Sequence, residues 1–201
     1  MTQALADGGE LVLVRDWLAP DEARTAMEAL SRDVPWAQKP IVMMGKRILQ
    51  PRLVAWYGDA TYTYSGLENV PLGWTSLLAS LRDRASSAAG VAFNSVLLNL
   101  YRDGDDSMGF HADKEKELGR DPVIASLSLG AARRFVMRHA SAPRIELDLE
   151  GGSLLIMRGT TQHFWRHGVP RTRVAVGPRI NLTFRLIRPS APPSSASRRG
   201  S

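Results

Sequence analysis

The chain has 201 residues, of which 44% are hydrophobic and 23% charged, a balance that suits one compact globular domain with a substantial core. It has no cysteine, which excludes disulfides, thiolate metal sites and cysteine nucleophiles, so any metal must be held by nitrogen and oxygen. A formal charge of +6 and a pI near 10.2 favour a polyanionic partner, because each Lys or Arg that meets a phosphate releases condensed counterions.

The opening "MTQALADGGE" lacks a basic segment followed by an apolar run, and no apolar stretch is long enough to span a bilayer. The expectation is a cytoplasmic protein without membrane contact, and nothing demands more than a monomer. "LVLVRDWL" (11–18) predicts a short strand. "PDEARTAMEALSRD" (20–33) predicts a helix with Pro20 in its first turn, acidic Asp21 and Glu22 at its positive end, and Ala23, Met27 and Leu30 on one face. A second helix is predicted over 73–89, with Leu77, Leu78 and Leu81 as its core stripe and Gly90 as its stop. From Val91 the pattern changes to short β-branched or alternating runs: "AFNSVLLNLY", "PVIASLSLG", "RRFVMRH", "RIELDL", "GSLLIM", "QHFWRHGV" and "RINLTFRLI". Seven or eight strands at this spacing imply a sandwich or barrel, so the whole is mainly β with flanking helices (α+β). The tail from 189, rich in Pro, Ser and Ala, cannot bury apolar surface and is expected to be disordered. There is no internal repeat, and neither "GDATYTYSG" nor "GGSLLIMRG" has the spacing of a phosphate-binding loop.

The densest chemistry lies in "SMGFHADKE" (107–115). On a strand, residues i and i+2 face the same side, so His111 and Asp113 would present an imidazole and a carboxylate to one point. A third ligand is available in "QHFWRHGVP", where His167 and His163 compete, while His139 sits in the turn-like "RHASAP". Two histidines and one carboxylate leave metal positions open, which suits non-haem Fe(II) and oxygen chemistry. In "RINLTFR", Arg179, Asn181, Thr183 and Arg185 share one parity and Ile180, Leu182 and Phe184 the other. Such a polar row could grip a dicarboxylate, or could be a solvated edge strand. Asn99 and Tyr101 form a similar pair.

Taken together, N-x-Y at 99–101, H-x-D at 111–113, "PVIASLSLGAARRFVMRH", "GGSLLIM", "FWRHGVP" and R-x-N-x-T-x-R at 179–185 resemble the AlkB family of Fe(II)- and 2-oxoglutarate-dependent nucleic-acid dealkylases, over about residues 35–187. The resemblance implies a double-stranded β-helix, or jelly roll, over 91–188, with an N-terminal strand, helices and nucleotide-recognition lid over 1–90 in the same compact domain. It implies Fe(II) on His111, Asp113 and His167, and 2-oxoglutarate against Asn99, Tyr101, Arg179, Asn181, Thr183 and Arg185, with O2 as the second cosubstrate. Arg179 is expected at the distal carboxylate and Arg185 near the C1 end.

"GKRILQPRLVAWYGDATYTYSG" (45–66) is similar to the lid of the duplex-acting members. That likeness implies Tyr62 and Tyr64 flanking the damaged base, basic Lys46, Arg47 and Arg52 in the lid, and a hairpin in "IVMMGKR" whose tip, near Gly45, carries Met43 and Met44 as an apolar wedge. One position departs: the duplex-acting pattern has an acid directly after the metal aspartate, whereas this chain has Lys114, followed by Glu115 as a partial substitute. The implied activity is oxidative demethylation of N1-methyladenine and N3-methylcytosine in alkylated DNA, or in RNA, releasing formaldehyde, succinate and CO2. The rival readings are an oxygenase acting on a protein side chain, lipid or small molecule, and a non-catalytic jelly-roll binding module.

Overall fold

The computed structural model of the chain describes residues 1–43, 46–59, 62–64, 67–69 and 71–188. The tail from 189 and the wedge residue Met44 lie outside them. In chain order the elements are β1 (Thr2–Ala4), β2 (Gly9–Val14), α1 (Pro20–Asp33), β3 (Pro40–Met43), β4 (Lys46–Leu49), β5 (Leu53–Gly58), β6 (Tyr62–Tyr64), β7 (Leu67–Asn69), α2 (Ser76–Ala89), β8 (Ser95–Tyr101), β9 (Met108–His111), β10 (Ile124–Gly130), β11 (Arg133–Arg138), β12 (Ile145–Leu149), β13 (Leu154–Gly159), α3 (Thr161–Phe164), β14 (Arg166–Val169) and β15 (Arg179–Arg185). No helix among the described residues is long and apolar enough to cross a membrane.

Two antiparallel sheets carry the fold: a seven-stranded sheet in the order β1-β2-β13-β10-β15-β8-β5 and a four-stranded sheet in the order β12-β11-β14-β9. The alternation in β15 shows how they are layered. Ile180, Leu182 and Phe184 pack with Leu30 of α1 and with Leu78 and Leu81 of α2 in one core. The opposite face of the large sheet contributes Tyr101, Ile124, Leu155 and Met157 to a second core, filled from the small sheet by Phe135, Met137, Leu149 and Val169. Helices therefore cover one face of the large sheet and the small sheet covers the other, which is the jelly roll with flanking helices. β15 lies between β10 and β8, so its polar row is central rather than a solvated edge.

Local chemistry explains where elements start and stop. Helix α1 has the predicted bounds, whereas α2 begins at Ser76, three residues later than its pattern suggested, because the Thr75 hydroxyl caps it by accepting the Leu78 N–H at 3.2 Å. Gly90, with φ of 70°, ends it in the left-handed conformation. The strand expected over 11–18 stops at Val14, since Asp16 adopts a φ of 50° and the chain turns to bury Leu18. The run "QHFWRHGV" is not one strand but the short helix α3 followed by β14; α3 closes with Trp165 N–H donating to Thr161 O at 3.0 Å. Strands before residue 90 extend the large sheet at both sides, β2 pairing with β13 and β5 with β8.

Two further hairpins stand outside the main sheets. In one, β3 and β4 pair with Met43 opposite Lys46; in the other, β6 and β7 pair with Tyr62 opposite Asn69.

Gly130, between β10 and β11, has a φ of +80°, and a Cβ there would lie 2.4 Å from the carbonyl oxygen of Pro178, just before Arg179. Left-handed backbone costs an alanine about 1–2 kcal/mol, and overpacking adds roughly 1–3 kcal/mol. Gly130→Ala should therefore lower unfolding stability by about 2–5 kcal/mol in urea titration; an unchanged midpoint would show that this contact yields freely.

Candidate metal centre and anion cleft

The site begins with a cross-strand pair. His111, the last residue of β9, lies opposite His167 of β14, and their ring centroids are 4.4 Å apart. Asp113 lies beyond the end of β9, so strand parity does not place it, contrary to the expectation from the i, i+2 spacing. Two hydrogen bonds place it instead. Its backbone N–H donates to Gln162 Oε1 at 2.9 Å, and Arg185 Nη2 donates to its Oδ1 at 2.7 Å. The result brings one potential ligand atom from each of His111, Asp113 and His167 within 4.8 Å of one another.

The protonation states suit a cation. His111 Nδ1 lies 3.0 Å from the Gly109 carbonyl oxygen, which can only accept, so Nδ1 carries a proton, and Nε2 is the ring nitrogen turned to Asp113 Oδ1, 4.0 Å away. Burial pushes His167 down to about 4, leaving a neutral imidazole at neutral pH. Burial acts to raise the Asp113 carboxyl, but Arg185, then His167 and His111, outweigh it and hold the group below its ordinary value. Asp113 Oδ2 and His167 Nδ1 are buried without a hydrogen-bond partner. An unsatisfied buried group costs roughly 1–3 kcal/mol, so the carboxylate oxygen lacks a ligand that a divalent cation would supply. The donor set of two imidazoles and one carboxylate fits Fe(II).

The anion side adjoins it. All nine residues assigned to metal and 2-oxoglutarate line one cleft. The β8–β15 register sets Tyr101 opposite Arg179 and Asn99 opposite Asn181. Arg179 is 1% exposed; its Nη2 donates to Ser128 Oγ at 2.9 Å, while Nε and Nη1 have no partner. It forms no ion pair with any carboxylate among the described residues, a costly state for a buried guanidinium unless an anion completes it. Arg185, at the other end of β15, is committed to Asp113. Asn181 is held by Ser126 Oγ at 2.7 Å and accepts from Thr183 Oγ1 at 2.9 Å, so this pair stiffens the wall between the two arginines.

The remaining candidates separate clearly. His163 pairs with Asp121 at 2.8 Å, and His139 with Asp7 at 2.7 Å; neither joins the triad. Lys114 Nζ donates to the His163 carbonyl at 2.8 Å, whereas Glu115 Oε2 is buried and unpartnered. Arg52 is turned inward: its Nε donates to Asn99 Oδ1 at 2.7 Å. Met43, Lys46, Tyr62 and Tyr64 lie on the strands of the two hairpins, and their side chains fall outside the described residues. Two participants carried no signal in the sequence. Gln162 lies in a run that reads as strand, and Arg133, 3% exposed, donates to the carbonyls of Asp103, Asp106 and Pro170 at 2.8, 2.9 and 2.9 Å behind Tyr101.

Comparison with known proteins places these observations in a family context. The family model of the 2OG-Fe(II) oxygenase superfamily matches residues 10–185. Human alpha-ketoglutarate-dependent dioxygenase alkB homolog 3 is 44% identical over 179 residues, covering 84% of this chain and 63% of that protein. Mouse DNA oxidative demethylase ALKBH2 is 40% identical over 183 residues, covering 84% of this chain and 77% of that protein. The chain thus spans less than two thirds of the length of the alkB homolog 3 proteins that it matches. A solved structure of OsALKBH1 superposes with a TM-score of 0.65 over 91% of this chain and 100% of that chain at 20% identity, a likeness of fold.

Removing the unpaired cation isolates the anion side. Arg179→Met should weaken 2-oxoglutarate binding by about 2–4 kcal/mol, roughly 30- to 1,000-fold, in calorimetry of the Mn(II)-loaded protein. Wild-type affinity in that variant would remove Arg179 from the binding site.

Proposed function

Because the chain belongs to the AlkB family within the 2OG-Fe(II) oxygenase superfamily, we propose that it is an Fe(II)- and 2-oxoglutarate-dependent dioxygenase that repairs alkylated DNA. The proposed reaction is oxidative demethylation of N1-methyladenine and N3-methylcytosine, releasing formaldehyde, succinate and CO2. One observation carries the reading: the triad's unpartnered Asp113 Oδ2 and the unpartnered Nε and Nη1 of Arg179 open into a single cleft. When bound, iron and 2-oxoglutarate supply with O2 the oxidising power that hydroxylates the N-methyl carbon.

The protein's own residues bind, orient and exclude water. His111, Asp113 and His167 hold the metal by nitrogen and oxygen from one side. Arg179 takes the distal carboxylate of 2-oxoglutarate through its free donors, deep in the large sheet where water does not compete. Arg185, through its bond to Asp113, keeps the Asp113 carboxylate from rotating and sits at the metal end of the cosubstrate, with Asn99 and Tyr101 on the neighbouring strand of the same sheet. The hydroxylated methyl group leaves as formaldehyde once the carbon–nitrogen bond breaks, which restores the base.

The methylated atom lies on the pairing edge of the base, so the nucleotide must be extruded or already unpaired. Methylation there adds positive charge and blocks pairing, which lowers the cost of extrusion. In this reading Tyr62 and Tyr64 flank the base, Met43 and Met44 fill the gap it leaves, and Lys46 meets the backbone. Arg52 serves from below, fixing Asn99. Glu115 accepts from the exocyclic amino group with its unpaired Oε2. A basic surface next to the triad supports a polyanionic substrate: Arg138 and Arg166 lie directly opposite on β11 and β14. Like charges so placed repel, yet both are held, Arg138 3.8 Å over the ring of Phe110 and Arg166 by donating to the Phe110 carbonyl at 2.8 Å. A backbone phosphate would relieve that repulsion.

The test is a product assay on matched oligonucleotides carrying 1-methyladenine or 3-methylcytosine, single- and double-stranded, with Fe(II) and 2-oxoglutarate supplied. The expected outcome is a demethylated base with matching formaldehyde and succinate, abolished in His111→Ala. No repair of any substrate would reject the nucleic-acid assignment, and undiminished turnover in His111→Ala would reject the triad.

A further inference from the structure

Asp113 is the triad member that the sheets do not place. It lies past the end of β9, and nothing in a strand ladder fixes its backbone. Its N–H is taken by Gln162 Oε1 at 2.9 Å, and both side chains are buried, at 2% and 1% exposed. The orientation of that amide is determined by its partners. The oxygen must face the Asp113 N–H, because a flipped amide would set donor against donor. The amide nitrogen then donates to Met157 Sδ at 3.6 Å, and Met157 itself lines the cleft.

Gln162 is held in turn. It sits on α3, one residue after Thr161, whose hydroxyl donates to the Arg158 carbonyl at 2.6 Å and accepts the Glu10 N–H at 3.1 Å. A line of contacts therefore runs from β2 and the end of β13 through Thr161 and Gln162 to the backbone of Asp113. From the other side Arg185 fixes Oδ1, which leaves Oδ2 unpartnered. Main chain and carboxylate are thus gripped from opposite directions.

We propose that Gln162 is a positioning residue for the metal centre, setting metal affinity by fixing the backbone of Asp113; this rests on the reading of His111, Asp113 and His167 as metal ligands. Removing Oε1 leaves the aspartate N–H buried and unpaired, and the loop that carries the ligand can then relax away from the two histidines. Partners that orient a ligand without touching the metal are typically worth about 10- to 100-fold in affinity.

The experiment is Mn(II) titration of the metal-free full chain, read as free Mn(II) by electron paramagnetic resonance, beside thermal unfolding of the same metal-free samples. Wild type should bind and His111→Ala should not. Gln162→Met, similar in shape but without the acceptor, should bind roughly 10- to 100-fold more weakly, while Gln162→Glu, which keeps an oxygen within reach, should stay close to wild type. If Gln162→Met does not fold, Gln162→Asn gives the same reading, because its carbonyl is drawn back by one methylene. Wild-type affinity in Gln162→Met, or equal losses in the Met and Glu variants, would overturn the proposal and leave Gln162 a packing residue. Equal binding by wild type and His111→Ala would instead sink the metal assignment beneath it.

Discussion

The antiparallel pairing of β9 with β14 is the constraint on which the site depends, because it sets His111 opposite His167 with their rings 4.4 Å apart. Asp113 brings a carboxylate oxygen to that pair, with one potential ligand atom from each of the three residues within 4.8 Å of one another. The small sheet thus supplies both histidines, while the large sheet supplies the cations Arg179 and Arg185 that line the same cleft. Neither sheet alone makes a site.

Burying those cations has a consequence for the chemistry. Arg179 lies in the centre of the large sheet with one donor on Ser128 and two left free, so burial pushes its guanidinium below its ordinary value. It stays poised for an anion of matching geometry. Behind the adjoining Tyr101, Arg133 ties the β8–β9 connection to the chain after β14 through three backbone carbonyls.

Much of this was legible in the sequence, for physical reasons that can be named. Period-two alternation puts Arg179, Asn181, Thr183 and Arg185 on one face of β15, and the pattern is strict because that face lines a polar cleft while the other meets an apolar core. The spacing of His111 and Asp113 points to two groups that do converge, but their convergence comes from Gln162 and Arg185, not from strand parity. Helix α3 was invisible because "TQHF" is short, and its aromatic and β-branched flanks read as strand. Lys114, set where the duplex-acting pattern has an acid, is tied to the His163 carbonyl, a contact between distant segments that local pattern does not encode. Arg52 was read as a lid cation from its neighbours in sequence, yet its side chain reaches Asn99; direction, unlike position, depends on the tertiary fold.

Metal and dicarboxylate are assigned to one cleft, with Arg185 joining the two sides through Asp113. Two ligands that meet in this way must alter each other's affinity reciprocally. The direct measurement is calorimetric titration of 2-oxoglutarate into wild-type protein with and without saturating Mn(II), paired with Mn(II) titration with and without 2-oxoglutarate. Each ligand should tighten the other by the same factor; independent binding, with neither affinity changed, would rule out a shared cleft.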